Sequence, residues 1–307
     1  FLCGLLNAQP MGFYTPNSLV QDSLRHGVIV QGPDINRSDY DCTVEPAEAD
    51  PADIVTYYGM RYRRGRGPEG DPLRPPAALR MGLRYVRNLG DAEIARIEAA
   101  RQFGELFTSV EDLAQRTGLP LDALESLAAA GALESLGVGR RDGMWAAGAA
   151  AGLGPDRLAL AAGVEAPPLP GMSEMEEMQA DLWATGVSAR HPVEFVRDQL
   201  AAAGCLSIAE ALSRQRHGKR ARVGGIVTHR QRPSTANGVM FFNLEDETGL
   251  LNVVVLPAVW DAQREMARKE VGLIIEGILE FRDGVTNLVA RRFHPLIVEK
   301  VKSRDFR

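Results

Sequence analysis

The fold of the last third of the chain is decided by the stretch MFFNLEDETGLLNVVVLP, residues 240–257. Two runs rich in Phe, Leu and Val flank the charged segment EDETG at 245–249. Runs of this composition, separated by a short segment that contains Gly, predict two strands joined by a hairpin turn. We expect the first strand to end at residues 245–247, and residues 248–249 to complete the turn.

Three further stretches around this hairpin are rich in Val, Ile and Phe and are typical of strands. They are ARVGGIVTHRQRP (221–233), EVGLIIEGILEFRDG (270–284) and VTNLVARRFHP (285–295). Between the third and fourth of the five strands lies AVWDAQREMARK (258–269), whose composition favours a helix. Five strands with a helix after the third is the order of an OB barrel, a fold that binds oligonucleotides.

The three successive carboxylates Glu245, Asp246 and Glu247 could hold a catalytic Mg²⁺ or belong to a charged turn. Consecutive strand residues point to opposite faces, so three in a row do not converge on one ion. The sequence contains no P-loop and no Gly-x-Ser-x-Gly motif, and its histidines have no evident nucleophile partner. We therefore predict a turn, and in this chain no catalytic residue, no metal site and no cofactor.

The composition is that of an ordinary soluble protein with one basic segment. The chain has 307 residues, 24% of them charged, and a formal net charge of −5. No apolar run approaches the roughly 20 residues that a membrane span needs, and three distant cysteines give neither zinc-ligand spacing nor a disulfide framework. Residues 213–232 carry seven Lys and Arg and no Asp or Glu, which indicates a phosphate-binding patch. We expect a cytoplasmic protein that contacts no membrane.

The middle of the chain predicts an imperfect repeat of short helices joined by glycine turns. The first unit contains GLRYVRNLGDAEIARIEAAR (82–101), and the second starts near Ser109 and ends with AAAGALESLG (128–137), a pattern of helix-hairpin-helix type. Such a hairpin can present backbone N–H groups at a helix N-terminus to a DNA phosphate. The candidates at the first hairpin are Arg84, Arg87, Leu89, Gly90 and Asp91. The second hairpin, at Ala130-Gly131-Ala132, has no nearby cation, which favours a structural role.

The predicted fold class is a multi-domain α+β protein, in which a helix-hairpin-helix region precedes a five-stranded OB barrel. We divide the chain into residues 1–76 with a flexible Arg/Gly/Pro-rich segment, 77–155 with the tandem helix-hairpin-helix, 156–213 with a linker and connecting helices, 214–300 with the OB domain, and a tail at 301–307.

An OB groove binds single strands with cations and stacks bases on aromatic side chains. The barrel candidates are Arg230, Arg232, Phe241, Phe242, Arg282, Arg291 and Arg292. Because neighbouring strand residues alternate between faces, one of Phe241 and Phe242 must face the core.

The segment QADLW (179–183) has two interpretations. Its Gln, Leu and aromatic spacing resembles the pentapeptide that bacterial proteins insert into the sliding-clamp groove. Its context SEMEEMQADLWATG instead places Met175, Met178 and Leu182 on one helical face, with Ser173 and Glu176 positioned for a capping box. The helix is the interpretation that we favour.

Several motifs together resemble one family. LLNAQPMGFYTPNSLVQDSLRHGVIVQGPDINRS (5–38) closely resembles the end of the fingers region in bacterial C-family DNA polymerases, the DNA polymerase III alpha type. The helix-hairpin-helix units, TGVSARHP (185–192), FFNLEDETGLLNVVV (241–255) and the ending SRDFR (303–307) are similar to the error-prone ImuC subgroup.

This resemblance implies a part in error-prone, damage-tolerant DNA synthesis, and hence in DNA repair and replication. The family's palm, with its Mg²⁺-binding aspartates, lies upstream of the matched region, so we expect this chain alone to be inactive. The implied partners are single-stranded template and primer–template duplex DNA, a Y-family-like accessory protein and, through that protein, the sliding clamp. A non-catalytic nucleic-acid-binding adaptor, or a protein with an anticodon-binding OB domain, remains the alternative.

Overall fold

The computed structural model describes residues 1–12, 14–50, 52–57, 60–69, 75–156, 166–212, 217–282 and 284–297. The chain forms two compact units, Phe1–Ala189 and Arg190–Arg307. None of the described helices is long and apolar enough to span a membrane. The predicted tail at 301–307 lies outside the described residues.

The first unit begins with two helices and a small mixed sheet. The helices are α1 (Leu2–Asn7) and α2 (Pro16–Arg25), and the strands are β1 (Ile29–Gln31), β2 (Thr43–Pro46) and β6 (Ala77–Arg80). Their order is β1-β6-β2, with β1 parallel to β6. Apolar side chains from these elements form one of the two cores of this unit.

The segment before residue 76 that was predicted to be flexible contains strands where the structure describes it. It contains a three-stranded sheet of β3 (Ile54–Tyr57), β4 (Met60–Arg63) and β5 (Gly67–Pro68). The aromatic rings of Tyr57 and Tyr62 lie 4.9 and 5.0 Å from the His26 ring at the end of α2. This aromatic packing stabilises strands that the Arg/Gly-rich composition did not predict.

Five further helices form the helix-hairpin-helix region, and their buried side chains make the second core of the first unit. They are α3 (Asp91–Gln102), α4 (Val110–Thr117), α5 (Leu121–Ala129), α6 (Arg140–Ala150) and α7 (Glu174–Ala184), with 3-10 turns at Leu83–Tyr85 and Glu134–Leu136. Buried Leu, Ile and Ala side chains pack between them. The predicted tandem helical region is therefore confirmed.

The segment QADLW lies within α7, so the helical interpretation is confirmed. Ser173 accepts a hydrogen bond from the Glu176 N–H, and the Glu176 carboxylate accepts one from the Ser173 N–H, as a capping box requires. Met178 is buried. Trp183 is 47% exposed, so it does not belong to the buried side of the helix.

The second unit is a closed five-stranded barrel preceded by short helices. The strands are β7 (Arg220–Gln231), β8 (Met240–Asp246), β9 (Gly249–Val255), β10 (Gly272–Arg282) and β11 (Val285–Pro295). Helix α10 (Pro257–Lys269) follows the third strand, and the 3-10 helix Pro192–Val196, α8 (Arg197–Ala202) and α9 (Ile208–Ala211) precede the barrel. The barrel order is β10-β11-β9-β8-β7, with β11 parallel to β9 and the other neighbouring strands antiparallel. The sequence-based prediction of an OB barrel is confirmed.

Candidate nucleic-acid interface

The central carboxylate of the Glu245–Glu247 run closes the β8–β9 turn. Asp246 is fully buried, and its Oδ1 accepts hydrogen bonds from the Thr248 N–H at 2.7 Å and the Gly249 N–H at 3.1 Å. Its Oδ2 accepts from the Ile208 N–H at 2.9 Å, at the start of α9. Burial raises the pKa of the Asp246 carboxyl, and these hydrogen bonds oppose the rise.

One arginine binds two of the three carboxylates in this run. Arg197 donates to Asp246 Oδ2 at 2.7 Å and to both Glu247 oxygens at 2.6 and 2.8 Å. Because the carboxylates are occupied by protein donors, the predicted turn is confirmed at Asp246 and Glu247. Among the residues that the structure describes, no three His, Cys, Asp or Glu side chains are grouped as a metal site would need.

The two phenylalanines of β8 point to opposite faces of the barrel. Phe242 is fully buried, with its ring centroid 6.2 Å from that of Trp260 and 5.9 Å from that of Phe293. The prediction that Phe242 contacts a base is therefore wrong, because its ring is part of the barrel core. Phe241 is 36% exposed and remains the candidate that can stack on a base.

The exposed part of the surface around Phe241 carries no charged side chain on β8 or β9, because Glu245, which alternation places on the same side opposite Leu250, is buried. Its other members are Asn243 on β8, and Leu250, Asn252 and Val254 on β9; all are partly or fully exposed. Cross-strand register places Phe241 opposite Val254 and Asn243 opposite Asn252, so these pairs share one face. We call these five residues the β8–β9 face. It offers an aromatic ring for stacking and two amides for hydrogen bonds to base edges.

Two predicted arginines lie at the ends of strands, while a third is structural. Arg232 follows β7 and Arg282 ends β10, and both are exposed. Arg230 instead donates to the Ala267 carbonyl at 2.8 Å and to the Glu270 carbonyl, and burial lowers its pKa to about 10. These contacts favour a structural role for Arg230, whose guanidinium holds the end of α10 against β7, and nucleic-acid binding by it stays a prediction.

Arg291 and Arg292 are both exposed on β11. The pairing of β11 with β9 ends at Val289, so these two arginines are not on the β8–β9 face. They lie beside β10, where Arg292 pairs with Glu276.

The basic residues at the first helical hairpin are engaged within their own unit. The Arg84 guanidinium donates to Asp41 Oδ1 at 2.8 Å and to the carbonyls of Asn7 and Gln9. The Arg87 guanidinium lies 4.8 Å from the centroid of the Trp183 ring. These contacts favour a structural role for both arginines.

The backbone of the first hairpin is also occupied. Leu89 is buried, and the Gly90 N–H donates to Glu93 Oε2 at 3.2 Å. Asp91 accepts from the Tyr40 hydroxyl at 2.9 Å. Two carboxylates in the first turn of α3 occupy the helix end that a phosphate would approach. Phosphate binding at this hairpin stays a prediction without support from its geometry.

At the second hairpin, Ala130 and Ala132 are buried, and the Ala132 carbonyl accepts from the Ile35 N–H at 2.9 Å. Sequence reasoning missed its cation: Arg140 donates to the Ala129 carbonyl at 2.6 Å and pairs with Asp181 at 2.7 Å. Arg140 begins α6, eight residues after Ala132, and is therefore too far along the chain to be recognised as a neighbour of the hairpin from the sequence alone.

A helix-hairpin-helix region followed by an OB barrel is an architecture of nucleic-acid-binding proteins. Two family models match the chain with these descriptions: "Helix-hairpin-helix motif" over residues 27–143 and "OB-fold nucleic acid binding domain" over residues 221–296.

The chain is homologous over its whole length to part of several proteins named "Error-prone DNA polymerase". It is 43% identical over 310 residues to the one from Mycobacterium tuberculosis strain H37Rv, and 42% identical over 313 residues to the one from Corynebacterium efficiens. In each case all of this chain is matched, but it spans only 26% of the relative's length. A solved structure of asparaginyl-tRNA synthetase from Pyrococcus horikoshii is 20% identical over 29% of this chain and 22% of that one, with a TM-score of 0.26.

Proposed function

We propose that this chain is the nucleic-acid-handling part of an error-prone DNA polymerase of the C family, ImuC subgroup, which acts in damage-tolerant DNA synthesis. The observation that carries the proposal is homology across the whole chain to proteins of that name. The barrel supports it, because the β8–β9 face combines an exposed aromatic ring with amides, and Glu245 on the same side is buried.

In this proposal the barrel binds the single-stranded template. A base stacks on Phe241, while Asn243 and Asn252 form hydrogen bonds with base edges. Arg232 and Arg282 lie at strand ends, where they can contact the backbone. Stacking on a π-face tolerates any base, so the part of the binding that comes from stacking is insensitive to sequence. A polymerase that copies damaged templates needs this tolerance.

Catalysis is assigned to a palm outside this chain, where the Mg²⁺ of the parent enzyme would bind. The engagement of Asp246 and Glu247 by protein donors supports this division. We expect the isolated chain to extend no primer with dNTPs and either Mg²⁺ or Mn²⁺. Extension that persists through repurification would contradict the division. The Y-family-like accessory protein and, through it, the sliding clamp are proposed partners of the parent enzyme.

Titration of the chain with fluorescent single-stranded DNA tests the binding function. Phe241→Ala should weaken binding about 5- to 150-fold, which corresponds to the roughly 1–3 kcal/mol of one stacked base. Phe103→Ala is the matched control, since Phe103 is an 86% exposed phenylalanine of the other unit. Equal affinities for the two variants and the unchanged chain would refute the assignment of the β8–β9 face.

A further inference from the structure

The barrel unit has an open groove of about 980 Å³ on a side formed by β7, β10 and β11. Four arginines and one glutamate line it, together with small and apolar residues of the 204–206 segment and β10. The charged residues are Arg220, Arg222, Glu276, Arg291 and Arg292. We call this the β7–β10–β11 groove.

A β-bulge creates the groove's pair of exposed arginines. In a regular strand Arg291 and Arg292 would point to opposite faces. The register of β10 against β11 shifts between Glu276 and Gly277, so Arg292 pairs with Glu276 while Ala290 pairs with Gly277. Arg291 is the extra residue, and both guanidiniums are exposed. A side chain at Gly277 would overlap the Val289 carbonyl, which makes the bulge sensitive to substitution there.

Three of the four arginines have no bound carboxylate. Among the residues that the structure describes, the side chains of Arg220, Arg291 and Arg292 form no hydrogen bond or ion pair. Arg222 is different, because its Nε lies 2.9 Å from Glu276 Oε1 and its Nη1 donates to the Ala203 carbonyl at 3.1 Å.

The groove therefore keeps an excess of positive charge in a concave surface. The Nε2 atom of His294 lies 3.2 Å from the same Glu276 oxygen, so this one carboxylate is shared by two neighbours. The aliphatic side chain of Ile278 lines the groove between the strands that carry the arginines. Cations spaced along a groove with an apolar floor suit a flexible polyanion better than a small anion.

We propose that the β7–β10–β11 groove is a second nucleic-acid site that binds the phosphodiester backbone and is separate from the β8–β9 face. The inference rests on the proposed function for the identity of the polyanion. Strand order supports the separation, because β10 pairs with β11 and β7 and has no ladder with β8. In this proposal bases stack on the β8–β9 face, and phosphates bind in the β7–β10–β11 groove.

Salt dependence distinguishes the two sites. Each phosphate neutralised on a single strand contributes roughly −0.7 to the slope of log K against log salt, and roughly −0.9 on a duplex. Arg291→Gln with Arg292→Gln should therefore make the single-strand slope shallower by about 1.4. At 0.1 M salt this corresponds to about 25-fold weaker binding. Phe241→Ala should lower affinity with an unchanged slope.

The matched control removes two cations outside the groove. Arg268→Gln with Lys269→Gln changes exposed residues at the end of α10 and alters net charge equally. We expect its slope to stay within about 0.5 of the unchanged chain, because general attraction contributes less than a direct contact. Titrations with oligo-dT and with a blunt duplex in parallel identify which backbone the groove prefers. Unchanged melting temperatures show that the variants are folded.

A gain of binding provides a test that misfolding cannot mimic. Glu276→Gln removes the groove's carboxylate and frees Arg222, which the Ala203 carbonyl still holds in place. One additional phosphate contact should raise the affinity for single strands about fivefold at 0.1 M salt and steepen the slope by about 0.7.

Three results would overturn the proposal. The first is a groove double variant with the slope of the control variant. The second is no gain for Glu276→Gln. The third is binding of poly-glutamate, but not DNA, that depends on Arg291 and Arg292, which would assign the groove to an acidic protein. Failure of the proposed function is distinguishable, since the chain would then bind no single strand or ignore Phe241→Ala.

Discussion

Asp246→Ala should destabilise the barrel far more than a change at Glu247. The substitution removes both oxygens that accept from Thr248, Gly249 and Ile208, and it leaves Arg197 half-buried with one fewer partner. Breaking a buried ion pair costs about 3–5 kcal/mol, and each unsatisfied buried donor costs about 1–3 kcal/mol. Because these costs overlap, we expect a loss of about 4 kcal/mol or more.

Glu247→Gln is the matched control in the same turn. Glu247 shares Arg197 but is partly exposed, and Gln keeps one acceptor, so the expected loss is about 1 kcal/mol. Urea unfolding followed by Trp260 fluorescence measures both, since Trp260 is buried in the barrel and Trp145 and Trp183 belong to the other unit.

Equal urea midpoints for the Asp246 and Glu247 variants would refute the structural role of Asp246. A midpoint that rises with millimolar Mg²⁺, and loses that rise in Asp246→Asn, would instead indicate a metal site. We expect Mg²⁺ to leave the midpoint unchanged, because protein donors already occupy the Asp246 oxygens.

Two other predictions concern the first unit. Met178→Ala should cost about 2–5 kcal/mol because it opens a cavity in the core. Trp183→Ala should cost less, since that side chain is 47% exposed and its ring packs against the Arg87 guanidinium at the surface. Thermal unfolding compares the two variants, and equal losses would contradict the observed packing of α7. Burial raises the pKa of Cys42 from 9.0 to about 11, so its contribution to stability is complete below pH 9 and is lost as the pH rises to 11. That loss is about 3 kcal/mol of the free energy of unfolding. Urea unfolding from pH 8 to 11 should show it. A Cys42→Ala chain with the same pH dependence would contradict the assignment of the loss to Cys42.

The barrel could be predicted because each of its elements has a local signal. Alternating apolar residues define β8 and β9, and the Thr248-Gly249 pair marks their turn. Helix α7 could be predicted for the same reason, since Ser173 and Glu176 form a capping box within four residues.

The binding residues were harder to predict because they depend on contacts between distant segments. Alternation required one of Phe241 and Phe242 to face the core, but only the barrel's register identifies which one. Arg230 has the composition of a binding residue, yet its partners are carbonyls about 40 positions away in the chain. The bulge that exposes Arg291 and Arg292 together depends on pairing with β10, which no local pattern reveals.

Arg220 and Arg222 are groove residues that the sequence did not identify individually. They belong to the basic segment at 213–232 that the sequence indicated, but neither was selected as a binding residue. Only the β7–β10 ladder shows that Arg222 lies opposite Glu276 and Arg220 opposite Ile278. The charge count located a basic patch, and the strand register determined its members.

Photocrosslinking of the chain to single-stranded DNA that contains 5-bromodeoxyuridine, followed by peptide mapping, locates the bound strand on the barrel. We expect crosslinks at Phe241 on the β8–β9 face, reduced in Phe241→Ala and unchanged in the Phe103→Ala control. Crosslinks confined to the helix-hairpin-helix unit, or a pattern unchanged in Phe241→Ala, would contradict this expectation.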